Sequence, residues 1–159
     1  MPIARRQHLL AWAEERTERY IIEDDYDSEF RYTLRPIPTL RSIDRNDRVI
    51  YLNTFSRSLA PSLRISYLVL PLSLLERYRR KLGFYSCTVP AMEQYTLAKF
   101  LEEGHFERHV NRMRVYYRSR RDAVLRAIEN SPLSGRCRVL REDAGLHFLL
   151  ELDTSRSDG

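Results

Sequence analysis

Glycine and lysine are both scarce in this chain. Five glycines in 159 residues are few for a complete α/β enzyme, whose tight phosphate-binding turns rely on residues without a Cβ. The net charge of +5 is carried almost wholly by arginine, because only Lys81 and Lys99 are lysines. Cys87 and Cys137 stand far apart without CxxC spacing, which is the pattern of reduced thiols in a cytoplasmic protein. No apolar run approaches the roughly 20 residues that span a bilayer, so no membrane partner is expected. The basic N-terminus is not followed by an apolar signal core, so no secretion signal is expected either. What is present, 43% hydrophobic and 31% charged residues, suits one globular domain with a real core.

The local patterns alternate between the two regular periods. Pro2 to about Arg19, with Leu9, Leu10 and Trp12 among charges, predicts an amphipathic helix. Tyr20-Ile21-Ile22 predicts a short buried strand ending in the acidic cluster Glu23-Asp24-Asp25-Tyr26-Asp27. The prolines at 36 and 38 predict an irregular connection from Arg31 to Asn46. Val49–Asn53 and Ile65–Leu70 read as strands. Helices are expected over Ser73–Leu82, Pro90–Glu103 and His105–Glu129, the first two ended by Gly83 and Gly104. In the last, Phe106, Val110, Met113, Tyr117, Val124 and Ile128 form the candidate buried stripe. Arg138-Val-Leu and Leu146–Leu152 read as strands joined by an Asp143-Ala-Gly145 turn. A division at residue 104 is expected, with residues 1–104 forming one part and 105–159 the long helix and a second, incomplete part.

The acidic cluster and the loop Thr54-Phe-Ser-Arg57-Ser-Leu-Ala-Pro-Ser-Leu-Arg64 each follow a strand. Together they describe a pocket for a ligand with a cationic ring and an anionic tail. A carboxylate beside a pyridine nitrogen keeps it protonated, because an opposite charge favours the charged form. A phosphate takes hydroxyls and an arginine able to grip two oxygens. Asp24 is the candidate for the ring, Tyr26 for its hydroxyl, and Thr54, Ser56 and Arg64 for the phosphate of pyridoxal 5'-phosphate. Other groups read more plainly. His105 and His109 lie one turn apart without a third ligand, and read as a solvated or packing pair rather than a metal site. The arginines of the long helix spread around it, as on a solvated face, and Cys87 reads as a small buried residue.

The stretch Ile21-Ile-Glu-Asp-Asp-Tyr-Asp-Ser-Glu-Phe-Arg-Tyr32, the Thr54–Arg64 loop and Glu103-Gly-His-Phe-Glu-Arg-His109 resemble the MocR-type branch of the GntR transcriptional regulators. Members join a winged helix-turn-helix to a domain similar to the fold-type-I aminotransferases. The resemblance implies an α/β fold: an incomplete large-domain sheet followed by the start of a small domain, truncated at both ends. It matches Asp24 to the residue that pairs with the pyridine nitrogen, Tyr26 to the tyrosine near the phenolic oxygen, and Ser56 and Arg64 to phosphate-side positions. It places Arg57 where the family carries its Schiff-base lysine. Arginine stays protonated at any usable pH and is a poor nucleophile. Lys81 and Lys99 fall on helices after the strands, so neither is an obvious replacement.

The implied function is a pyridoxal-phosphate-binding effector domain without transaminase turnover, responding to an amino acid or related small molecule. It would be homodimeric in the full-length family and would reach DNA only through the winged domain absent here. Two alternatives stand beside it: an aminotransferase completed by another chain, and a basic nucleic-acid-binding fragment using the arginine-rich helix.

Overall fold

The computed structural model describes residues 1, 3–32, 38–140 and 145–153. The helix start at Pro2, part of the 31–46 connection, the first two residues of the Asp143-Ala-Gly145 turn and the 154–159 tail lie outside the described residues. The chain packs as two compact units, Met1–Tyr26 with Pro36–Glu103, and Asp27–Arg35 with Gly104–Gly159.

In the first unit, α1 (Ile3–Glu14) buries Leu10 and Ala13, three residues apart on one helical face. Trp12 is exposed, with the Arg19 guanidinium 4.6 Å from its ring centroid. β1 (Ile21–Asp25) runs parallel to β2 (Val49–Thr54), and β3 (Ser66–Val69) runs antiparallel on β2's other side. A parallel pair needs a long connection. That connection contains a short helix not expected from the sequence, α2 (Leu40–Ile43), capped by Thr39 Oγ1 accepting from Ser42 N at 3.0 Å.

Ile21 and Val49 are register partners on the face that packs with Leu10, Leu40 and Ile43. Alternation turns Ile22 and Asp24 to the opposite face, where both are exposed. The first strand is therefore longer than Tyr20–Ile22, passes through the acids, and is buried on one side only. A second unexpected turn of helix, α3 (Phe55–Ser58), follows β2 directly and starts the arginine loop. The helices α4 (Leu72–Leu82) and α5 (Ala91–Glu102) fall within a residue of expectation, and neither contains a buried residue. Cys87, between them, is exposed rather than buried, because residues 82–88 are exposed throughout.

The second unit is organised by α6 (His105–Glu129), which starts after Gly104 in the left-handed region at φ 68°. Phe30 is fully buried and meets the Tyr117 ring edge-on at 5.1 Å. Val110 is buried, but Val124 is 45% exposed, bordering a cavity of about 190 Å³ instead of a packed neighbour. β4 (Cys137–Leu140) and β5 (Leu149–Leu152) form an antiparallel pair, with Cys137 opposite Leu152.

Candidate functional site

The site-bearing residues lie at the ends of β1 and β2 in the first unit. Three consecutive acids split between the two faces of the sheet. Glu23 turns to the packed face, where its oxygens accept from Leu40 N at 2.8 Å and Arg41 N at 3.0 Å, with Arg6 Nη1 at 3.7 Å. Asp25 accepts from the Tyr51 hydroxyl at 2.9 Å. Asp24, between them, points to the open face and is exposed. Its strand neighbour is Leu52, and Thr54 stands one pleat further along the same face.

Thr54 ends β2 and caps α3. Its Oγ1 accepts from Ser56 N and donates to Ile65 O, both at 3.2 Å. Ser56 Oγ donates to Leu63 O at 2.7 Å. Both hydroxyl protons are thus engaged with carbonyls of their own loop. Arg57 is exposed, with its guanidinium 5.8 Å from the Tyr26 ring centroid, and Tyr26 is 36% exposed. Arg64 is exposed on the same loop. Ser58 is buried to 2% exposure, and its Oγ makes no hydrogen bond among the described residues.

Of the residues expected to share a pocket, the structure brings Tyr26 against Arg57, and Thr54 against Ser56. Asp24 shares their sheet end through the β1–β2 register. The donor set fits a zwitterionic ring phosphate through its charges: one carboxylate on the open face, and two exposed guanidinium groups on the adjoining loop. It offers no amine at residue 57.

Sequence reasoning missed the back-face network. Asn53 Nδ2 donates to Tyr51 Oη at 2.9 Å, and Asn53 Oδ1 accepts from Thr54 N at 2.5 Å. Burial pushes the Tyr51 hydroxyl well above its ordinary value of 10.0; the Asn53 hydrogen bond opposes this, and the Asp25 carboxylate adds to it. Strict period-two reading of Glu23-Asp24-Asp25 was the signal that could have separated Asp24 from its neighbours.

In the second unit, His105 Nδ1 lies 2.8 Å from Arg108 and His109 Nδ1 3.3 Å from Arg112, each pair one turn apart along the helix. Among the described residues no group of three metal-ligating side chains assembles. The arginines of α6 are not uniformly solvated. Arg114 Nε donates to Glu29 O at 2.6 Å, Arg118 donates to Tyr32 O, and Arg121 binds Asp122 at 2.7 Å. Two of these cations, Arg114 and Arg118, thus end on backbone carbonyls of the segment at 29–32 instead of in solvent. No described helix is long and apolar enough to cross a membrane.

No family model matches the chain. A Bacillus subtilis (strain 168) protein described as an uncharacterized HTH-type transcriptional regulator, YhdI, is 49% identical over 152 residues, 96% of this chain and 32% of that protein. The probable rhizopine catabolism regulatory protein MocR of Rhizobium meliloti is 35% identical over 144 residues, 91% of this chain and 29% of its own length. Among solved structures, kynurenine aminotransferase of Pyrococcus horikoshii, in complex with PMP, matches with a TM-score of 0.84 and 30% identity. That match covers 98% of this chain and 38% of the enzyme. The chain spans about a third of the length of the curated relatives it matches. The sheet that ends in Asp24 and Thr54, the arginine loop and the long α6 thus form part of a fold-type-I aminotransferase architecture, and the chain is an aminotransferase-like segment of the kind found in MocR-type transcriptional regulators.

Proposed function

We propose that this chain is the pyridoxal-phosphate-binding portion of a MocR-type effector domain, and that it holds the cofactor without a covalent link and without transaminase turnover. The observation that carries the proposal is Arg57. It stands in the turn after β2, beside Tyr26; the family resemblance would give this position to the Schiff-base lysine, and a guanidinium cannot supply the nucleophilic amine. When bound, the cofactor supplies an electron sink. Asp24 would hold the proton on the ring nitrogen by opposite charge. Tyr26 would face the phenolic oxygen. Arg57 and Arg64 would hold the phosphate, with Thr54 and Ser56 shaping the turn that presents it.

Residues 1–104 would then belong to the large cofactor-binding domain and residues 105–159 to the start of the small one. The effector would be an amino acid or a pyridoxal-type compound, sensed in the cytoplasm by a homodimer. DNA contact would belong to a helix-turn-helix outside this chain. The carbonyl and carboxylate contacts of Arg114, Arg118 and Arg121 weigh against α6 as a phosphate-tracking surface.

The test is an absorbance titration with pyridoxal 5'-phosphate, followed by borohydride reduction and peptide mapping. Saturable binding with no reduced adduct is expected. A stoichiometric adduct on Lys81 or Lys99 would overturn the non-covalent reading, and absence of saturable binding would overturn the site itself.

A further inference from the structure

The two halves of the proposed site are joined on the opposite side of the sheet by a chain of hydrogen bonds that the cofactor would never touch. Starting from the phosphate-side turn, Thr54 N donates to Asn53 Oδ1 at 2.5 Å. Asn53, 6% exposed, donates through Nδ2 to the Tyr51 hydroxyl at 2.9 Å, and that hydroxyl donates to Asp25 Oδ2 at 2.9 Å. Asp25 is opposite Asn53 in the parallel register, so the chain crosses from β2 to β1 at the strand ends. The Tyr51 ring is itself held, its centroid 6.1 Å from that of Tyr67 on β3.

This arrangement solves a specific problem. Three adjacent carboxylates repel one another, and a strand end can twist to relieve the repulsion. Glu23 and Asp25 are both tied down on the packed face, one by backbone N–H groups and one by Tyr51. With both neighbours tied, the pleat leaves Asp24 one direction, towards the open face. The same tyrosine reaches, through Asn53, the amide of the residue that caps α3.

We propose that Tyr51 is a positioning residue: through Asp25 and Asn53 it locks the strand end that presents Asp24 to the turn that begins at Thr54, and so sets the spacing between the ring side and the phosphate side of the site. This rests on the cofactor reading given above for its functional meaning, but the lock itself is a property of the ligand-free chain.

The experiment uses Tyr51→Phe, which keeps the ring beside Tyr67 and removes only the hydroxyl. Amide hydrogen exchange of the ligand-free chain is the first readout. Thr54 N–H should exchange about tenfold faster, as loss of a supporting hydrogen bond allows, while Val49 and Ile50 on the same strand stay unchanged. The second readout is affinity for pyridoxal 5'-phosphate, expected to fall about tenfold. In combination with Asp24→Asn the loss should be smaller than the product of the two single effects, because both act on one contact. Unchanged exchange at Thr54, or equal acceleration along all of β2, overturns the lock. Multiplicative effects of the two substitutions overturn its role in presenting Asp24. If the unsubstituted chain does not bind the cofactor, the functional proposal fails, while the exchange pattern still decides the lock.

Discussion

Replacing Glu23 by alanine should be among the more costly single changes in the first unit. Its carboxylate is 12% exposed and accepts two backbone N–H groups, Leu40 at 2.8 Å and Arg41 at 3.0 Å, which the start of α2 cannot satisfy internally. Each hydrogen bond to a charged acceptor contributes roughly 1.5–3 kcal/mol. Arg6 partly compensates, because it keeps its bonds to Pro38 O at 2.7 Å and Met1 O at 3.3 Å after the carboxylate is gone. The net loss should be about 3 kcal/mol, of the order of 6–12 °C in melting temperature for a chain of this length. Leu40, part of the hydrophobic cluster with Leu10 and Val49, would be loosened with it. Glu23→Gln keeps the size and one acceptor oxygen but points an NH₂ at one backbone donor, so it should cost about 2 kcal/mol. Urea denaturation of both variants measures this directly. A loss below about 1 kcal/mol for Glu23→Ala at unchanged m-value would refute the reasoning, since the two N–H groups would then have found other acceptors.

Arg57→Lys should leave stability within about 1 kcal/mol, since it alters only one exposed cation beside Tyr26, and should produce a borohydride-trappable cofactor adduct at residue 57 that the unsubstituted chain lacks. Gly145→Ala should cost about 2 kcal/mol in the second unit: the backbone sits at φ +83°, and a Cβ would lie 2.6 Å from Asp27 Oδ2, which accepts from Leu146 N. Faster exchange of α6 amides would report it, and a change under 0.5 kcal/mol on the order of surface substitutions would contradict it. Stability should fall above pH 10. Burial raises both Tyr51 and Tyr32 above 10.0; Arg121 opposes the shift at Tyr32, while Tyr117 and Asp27 add to it. A folded-state value above the unfolded one means the stabilisation is complete below pH 10 and is lost as pH rises through the folded value. Tyr51→Phe should blunt that loss in an alkaline melting series. At the acid end, burial would raise Asp47, but Arg41 and the amides of Ser73 and Leu72 outweigh it and hold the group below 3.8. Its contribution is present above that value and should disappear as pH falls below it, an effect absent from Asp47→Ala.

Most elements could be read from the chain because their signals are local. The 25-residue α6 and the strand β2 follow from periodicity and from stop residues, and both match the expected spans to within a residue. The two short helices could not be read that way. α2 depends on Glu23, 17 residues away, accepting its first amides, and α3 is a single turn fixed by the Thr54 cap and the return of the chain at Ile65. The inward stripe of α6 holds at Phe106, Val110, Met113, Tyr117 and Ile128, which are buried or half-buried, but not at Val124, which is exposed. Cys87 failed for a similar reason: a small apolar side chain is buried only if something covers it.

The amino-acid sequence alone determined the order of the strands and the longer helices, the kinship with MocR-type regulators, and the one chemical fact that no folding can change: residue 57 is an arginine and carries no amine nucleophile. The tertiary structure decided which way the acids face. Only strand register sends Asp24 to the open side while Glu23 and Asp25 are held behind it, and only the return of the loop engages the Thr54 and Ser56 hydroxyls with the carbonyls of Ile65 and Leu63. Those outcomes depend on partners far along the chain, and a pairing shift of one residue would reverse every one of the strand faces.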